Sequence, residues 1–177
     1  MNKKKVIISI IIILIIIIWG LIIFKLSSMN TTNSNGKSKN IINIFIEDTL
    51  EVTNKYGITD SHPDNEKIEK ATSLLNKPLR KVMHATVYFV FAFLIIFFIN
   101  FLFNNKRFFL SAFIAILLIF VLASFDEYHQ SFVDGRTSDF KDVIIDSVGG
   151  SCGIIFYGSY YFIYKLGYKK GSNAKNG

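Results

Sequence analysis

The chain has 177 residues, 51% of them hydrophobic and 19% charged, with 20 Lys/Arg against 13 Asp/Glu and a net charge of +7. An ordinary soluble domain holds about 45–50% apolar and about 25% charged residues; here the excess is gathered into a few long runs, which excludes a soluble enzyme, a disordered chain and a disulfide-rich secreted scaffold. The single cysteine, Cys152, excludes internal disulfides and any cysteine-clustered metal site.

Lys3, Lys4 and Lys5 open the chain, and Val6–Phe24 follows as 19 uncharged, Ile-dominated residues. This stretch is longer than the roughly 7–15 residues of a signal-peptide core, and no small-residue cleavage site follows, so it reads as an uncleaved anchor. With its flank it is transmembrane helix 1, residues 6–26. The outer region 27–81 comes next. Its first part, SSMNTTNSNGKSKN, reads as a flexible linker. Ile42, Ile46 and Leu50 then recur at spacing four, with Ile41, Phe45, Thr49 and Val52 on an adjacent strip, which predicts an amphipathic helix ended by Tyr56-Gly57. Ser61–Asp64 reads as the start of a second helix, with Ile68, Ala71, Leu74 and Leu75 on its apolar side and Pro78 interrupting it. His62 in the connection reads as solvated.

Transmembrane helix 2 spans 82–103, with His84 as its only ionisable group; a cytoplasmic loop, 104–107, leads to transmembrane helix 3, 108–125. An outer polar motif, 126–146, precedes transmembrane helix 4, 147–166, and a cytoplasmic tail, 167–177. Isolated strands in lipid leave amides unpaired, so even the β-branched runs are predicted as helices. The fold class is an all-α membrane protein of four transmembrane helices, with an outer loop region containing one or two amphipathic helices.

Charge sets the expected orientation. Residues 1–5, 104–107 and 165–177 share one side and hold nine Lys/Arg and no acid; the other side holds all 13 Asp/Glu. Density of positive charge makes the first side cytoplasmic, termini included. The net charge is then a topology signal and an attraction to anionic lipid, and nucleic acid is not an expected partner.

Because consecutive spans alternate direction, His84, Asp126 and Asp146 share the outer face. The intervening stretch FDEYHQSFVDGRTSDFKDVIIDS is the densest chemistry in the chain. Asp126 and Gln130 are one helical turn apart, and Asp139, Asp142 and Asp146 (i, i+3, i+7) form a stripe on a helix entering span four. Ser138 or Asp139 is placed to cap that helix. An acid as deep as Asp146 is costly unless paired or turned inward, which makes His84 and Arg136 its expected partners. Arg136 is expected to contact at least one of Asp126, Glu127, Asp139 or Asp142, with Lys141 on the solvent side. The functional cluster is therefore His84, Asp126, Glu127, Gln130, Arg136, Asp139, Asp142 and Asp146. No H-x-x-x-H or H-E-x-x-H spacing is present, so neither a metal nor another cofactor is expected. Gly149 and Gly153 form G-x-x-x-G, read as intrachain packing, with Cys152 as an inert packing residue. Tyr157, Tyr160, Tyr161, Tyr164 and Tyr168 read as interfacial anchors and packing.

FDEYHQSFVDGRTSDFKDVIIDSVGG resembles the signature of VanZ-like membrane proteins: an acid pair, a Gln, an Arg before a short polar stretch, then Asp and a polar residue ahead of a Gly-rich span. Arg80-Lys81-x-x-His84-x-x-x-Tyr88 resembles that family's basic–His–Tyr motif, and Phe24–Ser28 (FKLSS) its aromatic-Ser-Ser motif. The pattern departs at Asp146, where the family more often has Asn. The resemblance implies a small polytopic cell-envelope protein linked to resistance to teicoplanin, a lipidated glycopeptide. Membrane lipids, and a lipoglycopeptide or cell-wall lipid precursor, are the implied partners. Three functions fit the residues: recognition of an amphiphile at the outer leaflet, a membrane enzyme using the His/Asp/Glu/Arg site on an envelope lipid or peptidoglycan precursor, and a structural accessory subunit whose polar network holds spans three and four in register.

Overall fold

The structure is a computed structural model that describes residues 2–29, 31–55, 65–134, 136 and 138–173. It is built of five helices: α1 (Lys3–Ser27), α2 (Thr31–Lys55), α3 (Asn65–Leu102), α4 (Phe108–Gln130) and α5 (Phe140–Asn173). Four of them, α1, α3, α4 and α5, are long and apolar enough to cross a membrane, and no strand occurs among the described residues. The chain is an all-α membrane protein.

Helix α3 is the hub and packs against each of the other four helices. At 1.5 Å per residue its 38 residues extend about 57 Å, well beyond the roughly 30 Å of a hydrocarbon core. Its first half therefore leaves the bundle, and α2 lies along it. Two expectations are corrected here. The polar stretch read as a flexible linker is helical from Thr31 onward, because it contains no proline and continues the amphipathic segment behind it. Pro78 does not interrupt α3: the helix continues through it, forgoing only the hydrogen bond that a residue with an N–H would make one turn back.

On α2, Ile42 is buried and Ile46 half-buried, while Ile41, Phe45 and Val52 face outward. On α3 before Pro78, Thr72 and Asn76 are buried, whereas Leu74 and Leu75 are exposed, contrary to the apolar stripe expected there. Thr72 Oγ1 donates to Asn43 Oδ1 at 3.2 Å, so the α2–α3 contact is partly polar and rotates the leucines away. The readings made for Tyr56-Gly57, Ser61–Asp64 and His62 lie outside the described residues.

Helix α1 presents most of its isoleucines outward, as a lipid-facing helix does, and touches the bundle along one side. Trp19 Nε1 donates to the Val87 carbonyl at 3.0 Å, tying α1 to α3. One end of the bundle is closed by the α3–α4 turn. Asn104 and Asn105 adopt positive φ (53° and 58°), which Asn tolerates better than most residues. The Lys5 ammonium reaches the Leu102 carbonyl (3.1 Å) and Asn104 Oδ1 (2.6 Å), and the Tyr161 hydroxyl donates to the Asn105 carbonyl (2.7 Å). The chain start, the α3–α4 turn and the later part of α5 thus share this end, in agreement with span alternation. Tyr157 is a packing residue: it is buried and hydrogen-bonded at 2.9 Å by Asn100 Nδ2, whereas Tyr160 and Tyr164 are exposed.

Helices α3 and α5 approach at backbone contact. A Cβ on Gly149 would stand 2.3 Å from the Ala85 carbonyl oxygen, and one on Gly153 2.2 Å from that of Phe89. The G-x-x-x-G motif therefore packs within the chain. Cys152, expected between the glycines as a packing residue, is exposed: one step of a helix turns it about 100° off the glycine face. Gly153→Val should destabilise the bundle by about 1–3 kcal/mol or more through overpacking. Gly167→Val, at a position with open space around it, should be close to neutral. Thermal unfolding of the two variants in detergent checks the contrast.

Candidate functional site

At the opposite end, α3, α4 and α5 bring their polar residues together. The outer polar motif is largely helix, as the spacing of Asp126 with Gln130 and of Asp139, Asp142 and Asp146 anticipates: 126–130 completes α4, and 140–146 begins α5. The connection is only 131–139. Asp126, Glu127, Gln130 and Asp146 are all buried.

The α4–α5 connection is fastened from both sides. Glu127 Oε1 accepts the Asp139 backbone N–H at 2.6 Å, and Asp139 Oδ1 accepts the Lys141 N–H at 3.0 Å. Asp139 is therefore the cap of α5, satisfying one of the amides that a helix N-terminus leaves free. Glu127 and Asp139 serve this fastening. The remaining residues face a narrow polar pocket lined by Arg80, Lys81, His84, Gln130, Arg136, Asp142, Ile145 and Asp146. Asp126 joins them from α4: its carboxylate, that of Asp146 and a His84 ring nitrogen lie within 4.8 Å of one another. His84 Nδ1 is 3.9 Å from Asp146 Oδ2.

Arg136 departs from expectation. Its Nη1 donates to Gln130 Oε1 at 2.6 Å, and Gln130 Nε2 donates onward to Asp126 Oδ2 at 3.0 Å. Among the described residues it makes no direct ion pair with an acid; Gln130 relays it to Asp126. Its Nε and Nη2 are buried without a hydrogen-bond partner. Burial and, next, the neighbouring Arg80 lower its pKa from the ordinary arginine value, against the attraction of Asp126, Glu127 and Asp142. Arginine's ordinary value is so high that the guanidinium stays charged.

Three participants were missed as site residues. Lys81 pairs with Asp142, Arg80 lines the pocket, and the buried Tyr88 hydroxyl interacts with the Asp126 carboxylate. The basic–His–Tyr spacing already held all three on successive turns of one helix. Lys141 is exposed, on the solvent side as expected.

A second pocket, about 180 Å³, lies near the first. It lies between α1, α3 and α4 and is lined by Gly20, Ile23, Phe24, Tyr88, Phe91, Leu122, Phe125 and Asp126. All but Asp126 and the Tyr88 hydroxyl are apolar. Phe24 also packs its ring against His129 (centroids 4.7 Å apart), bringing the aromatic-Ser-Ser stretch of α1 to this end.

The family model described as VanZ/LLP1 matches residues 10–163, most of the chain. No curated protein and no solved structure matches it.

Orphaning the Asp139 amide has a measurable consequence. Glu127→Ala should raise hydrogen–deuterium exchange in segment 138–142 about tenfold or more, in keeping with the roughly 1–3 kcal/mol cost of an unsatisfied buried group. Lys141→Ala should leave that segment unchanged.

Proposed function

The chain belongs to the VanZ/LLP1 family of membrane proteins, and from that premise we propose that it recognises an amphiphile, a lipoglycopeptide of the teicoplanin kind or a cell-wall lipid, at the outer leaflet. One observation carries the reading: Asp126, which lines the apolar pocket, has its carboxylate within 4.8 Å of His84 and Asp146, which line the polar one. A molecule with a charged head and a hydrocarbon tail needs that pairing. The Arg136 N–H groups left without partners, with Arg80 beside them, favour an anionic head. The apolar pocket between α1, α3 and α4 suits a tail, whose burial is favourable in proportion to its area.

The site lies at the outer face in this reading because the opposite end carries nine Lys/Arg and no acid across residues 1–5, 104–107 and 165–177. Both termini are then cytoplasmic. Reporter fusions after Asn104 and after Asp134 should read cytoplasmic and external, respectively; swapped readings would reverse the orientation.

Expression in a sensitive Gram-positive host should raise tolerance to teicoplanin more than to vancomycin, since the lipid tail is the feature met at the membrane. Gly20→Leu should abolish the gain by filling the apolar pocket; a Cβ there meets only Phe91, at 3.8 Å, so the helix need not move. Arg136→Lys keeps the charge but loses the planar fork, and should weaken the effect more than Lys141→Ala. Equal effects on both drugs, or none, would remove the lipoglycopeptide reading.

A further inference from the structure

We propose that His84, Asp126 and Asp146 bind one divalent transition-metal ion, Zn²⁺ or Mn²⁺, where α3, α4 and α5 converge. Each helix supplies one ligand, and the ligand atoms lie within 4.8 Å of one another. Metal–ligand bonds of about 2.0–2.2 Å put the donors of a single ion roughly 3–4 Å apart, so small side-chain rotations close the set. The His84 Nδ1–Asp146 Oδ2 separation, 3.9 Å, already falls in that range. At that distance the two atoms are too far apart for a hydrogen bond but suitably spaced to share an ion.

Asp146 supplies a separate indication. It is 4% exposed, and its carboxylate accepts no hydrogen bond from any described residue. A buried carboxylate is retained when it is paired or coordinates a cation. No Lys or Arg among the described residues pairs with Asp146: Lys81 pairs with Asp142, and the Arg136 hydrogen bond goes to Gln130. Asp126, by contrast, is held by Gln130 Nε2 at Oδ2 and by the Tyr88 hydroxyl; this is the outer-shell support that orients carboxylate ligands. The α3–α5 backbone contact at Gly149 and Gly153 fixes the frame on which His84 and Asp146 sit.

The donor set selects the ion. One imidazole with two carboxylates suits Zn²⁺ or Mn²⁺, whereas Ca²⁺ takes about six to eight oxygens and is poorly served here. Three protein ligands leave a coordination position facing the polar pocket. The site had no sequence signature because its ligands come from three helices, 42 and 20 residues apart in the chain. It stands whether or not an amphiphile occupies the neighbouring pockets.

The test uses the purified full-length chain in detergent, stripped with a chelator and equilibrated with Zn²⁺ or Mn²⁺. Bound metal is counted by elemental mass spectrometry, and thermal unfolding is followed with and without metal. The wild type should retain close to one ion per chain and unfold at a higher temperature when loaded. His84→Ala, Asp126→Asn and Asp146→Asn should each lose both effects, while Asp134→Asn, at an exposed acid, should keep them. Gln130→Leu should weaken affinity about 10–100-fold, as removal of an outer-shell partner does. A wild-type chain that retains neither metal overturns the proposal, as does wild-type-like binding by a monodisperse, helical Asp146→Asn. If a ligand variant fails to fold, the wild-type stoichiometry and the Gln130→Leu affinity still decide.

Discussion

Asp126 and Asp146 are buried within a few ångströms of each other and of His84, near the edge of a membrane-spanning bundle. Insertion scales put a charge at the bilayer centre at about 2.5–3.5 kcal/mol, with less toward the interface, so two carboxylates there constrain everything around them. They need a wall of protein against lipid, polar company, and helices whose rotation keeps them inward. The glycine contact between α3 and α5 supplies the rotation: with backbones touching at Gly149 and Gly153, α5 turns Asp146 toward His84 and leaves Cys152 outside. The α4–α5 connection supplies the company, since Glu127 clamps the Asp139 amide and Arg136 reaches Asp126 through Gln130.

The bundle is consequently polarised along its axis. One end is a tight Asn-Asn turn bound to Lys5 and Tyr161, a packing device with little chemistry. The other end gathers the buried acids, both pocket arginines and His84. The first half of α3 projects beyond this end, with α2 packed against it. Asp126 lines the hydrocarbon-like pocket and lies within 4.8 Å of His84 and Asp146, which line the charged one.

Much of this frame is legible in the sequence, because lipid restricts the chain to helices and a charge-free run of sufficient length marks each span. Span alternation places His84, Asp126 and Asp146 at one end, and helical spacing pairs Asp126 with Gln130. What spacing does not give is the rotation of each helix about its axis or the choice among equivalent cations. Lys81, not Arg136, answers Asp142, because Lys81 lies one turn before His84 on the helix that faces α5. Arg136 ends on Gln130 because the Glu127–Asp139 clamp sets the path of the short connection. Thr72 and Asn76 replace Leu74 and Leu75 at the α2 contact, a choice made by the partner helix and invisible in the hydrophobic pattern of α3 alone.

The central claim is that the polar and apolar pockets on either side of the His84–Asp126–Asp146 cluster hold one amphiphile. Photolabelling of the purified chain tests it most directly, using an anionic lipid with a diazirine near the end of its acyl chain and mapping the adducts by mass spectrometry. The account predicts adducts concentrated at the pocket residues Leu122, Phe125 and Phe91, reduced by excess unlabelled lipid and lost in Gly20→Leu. Adducts spread along the outward isoleucines of α1, insensitive to competitor and to Gly20→Leu, would contradict it.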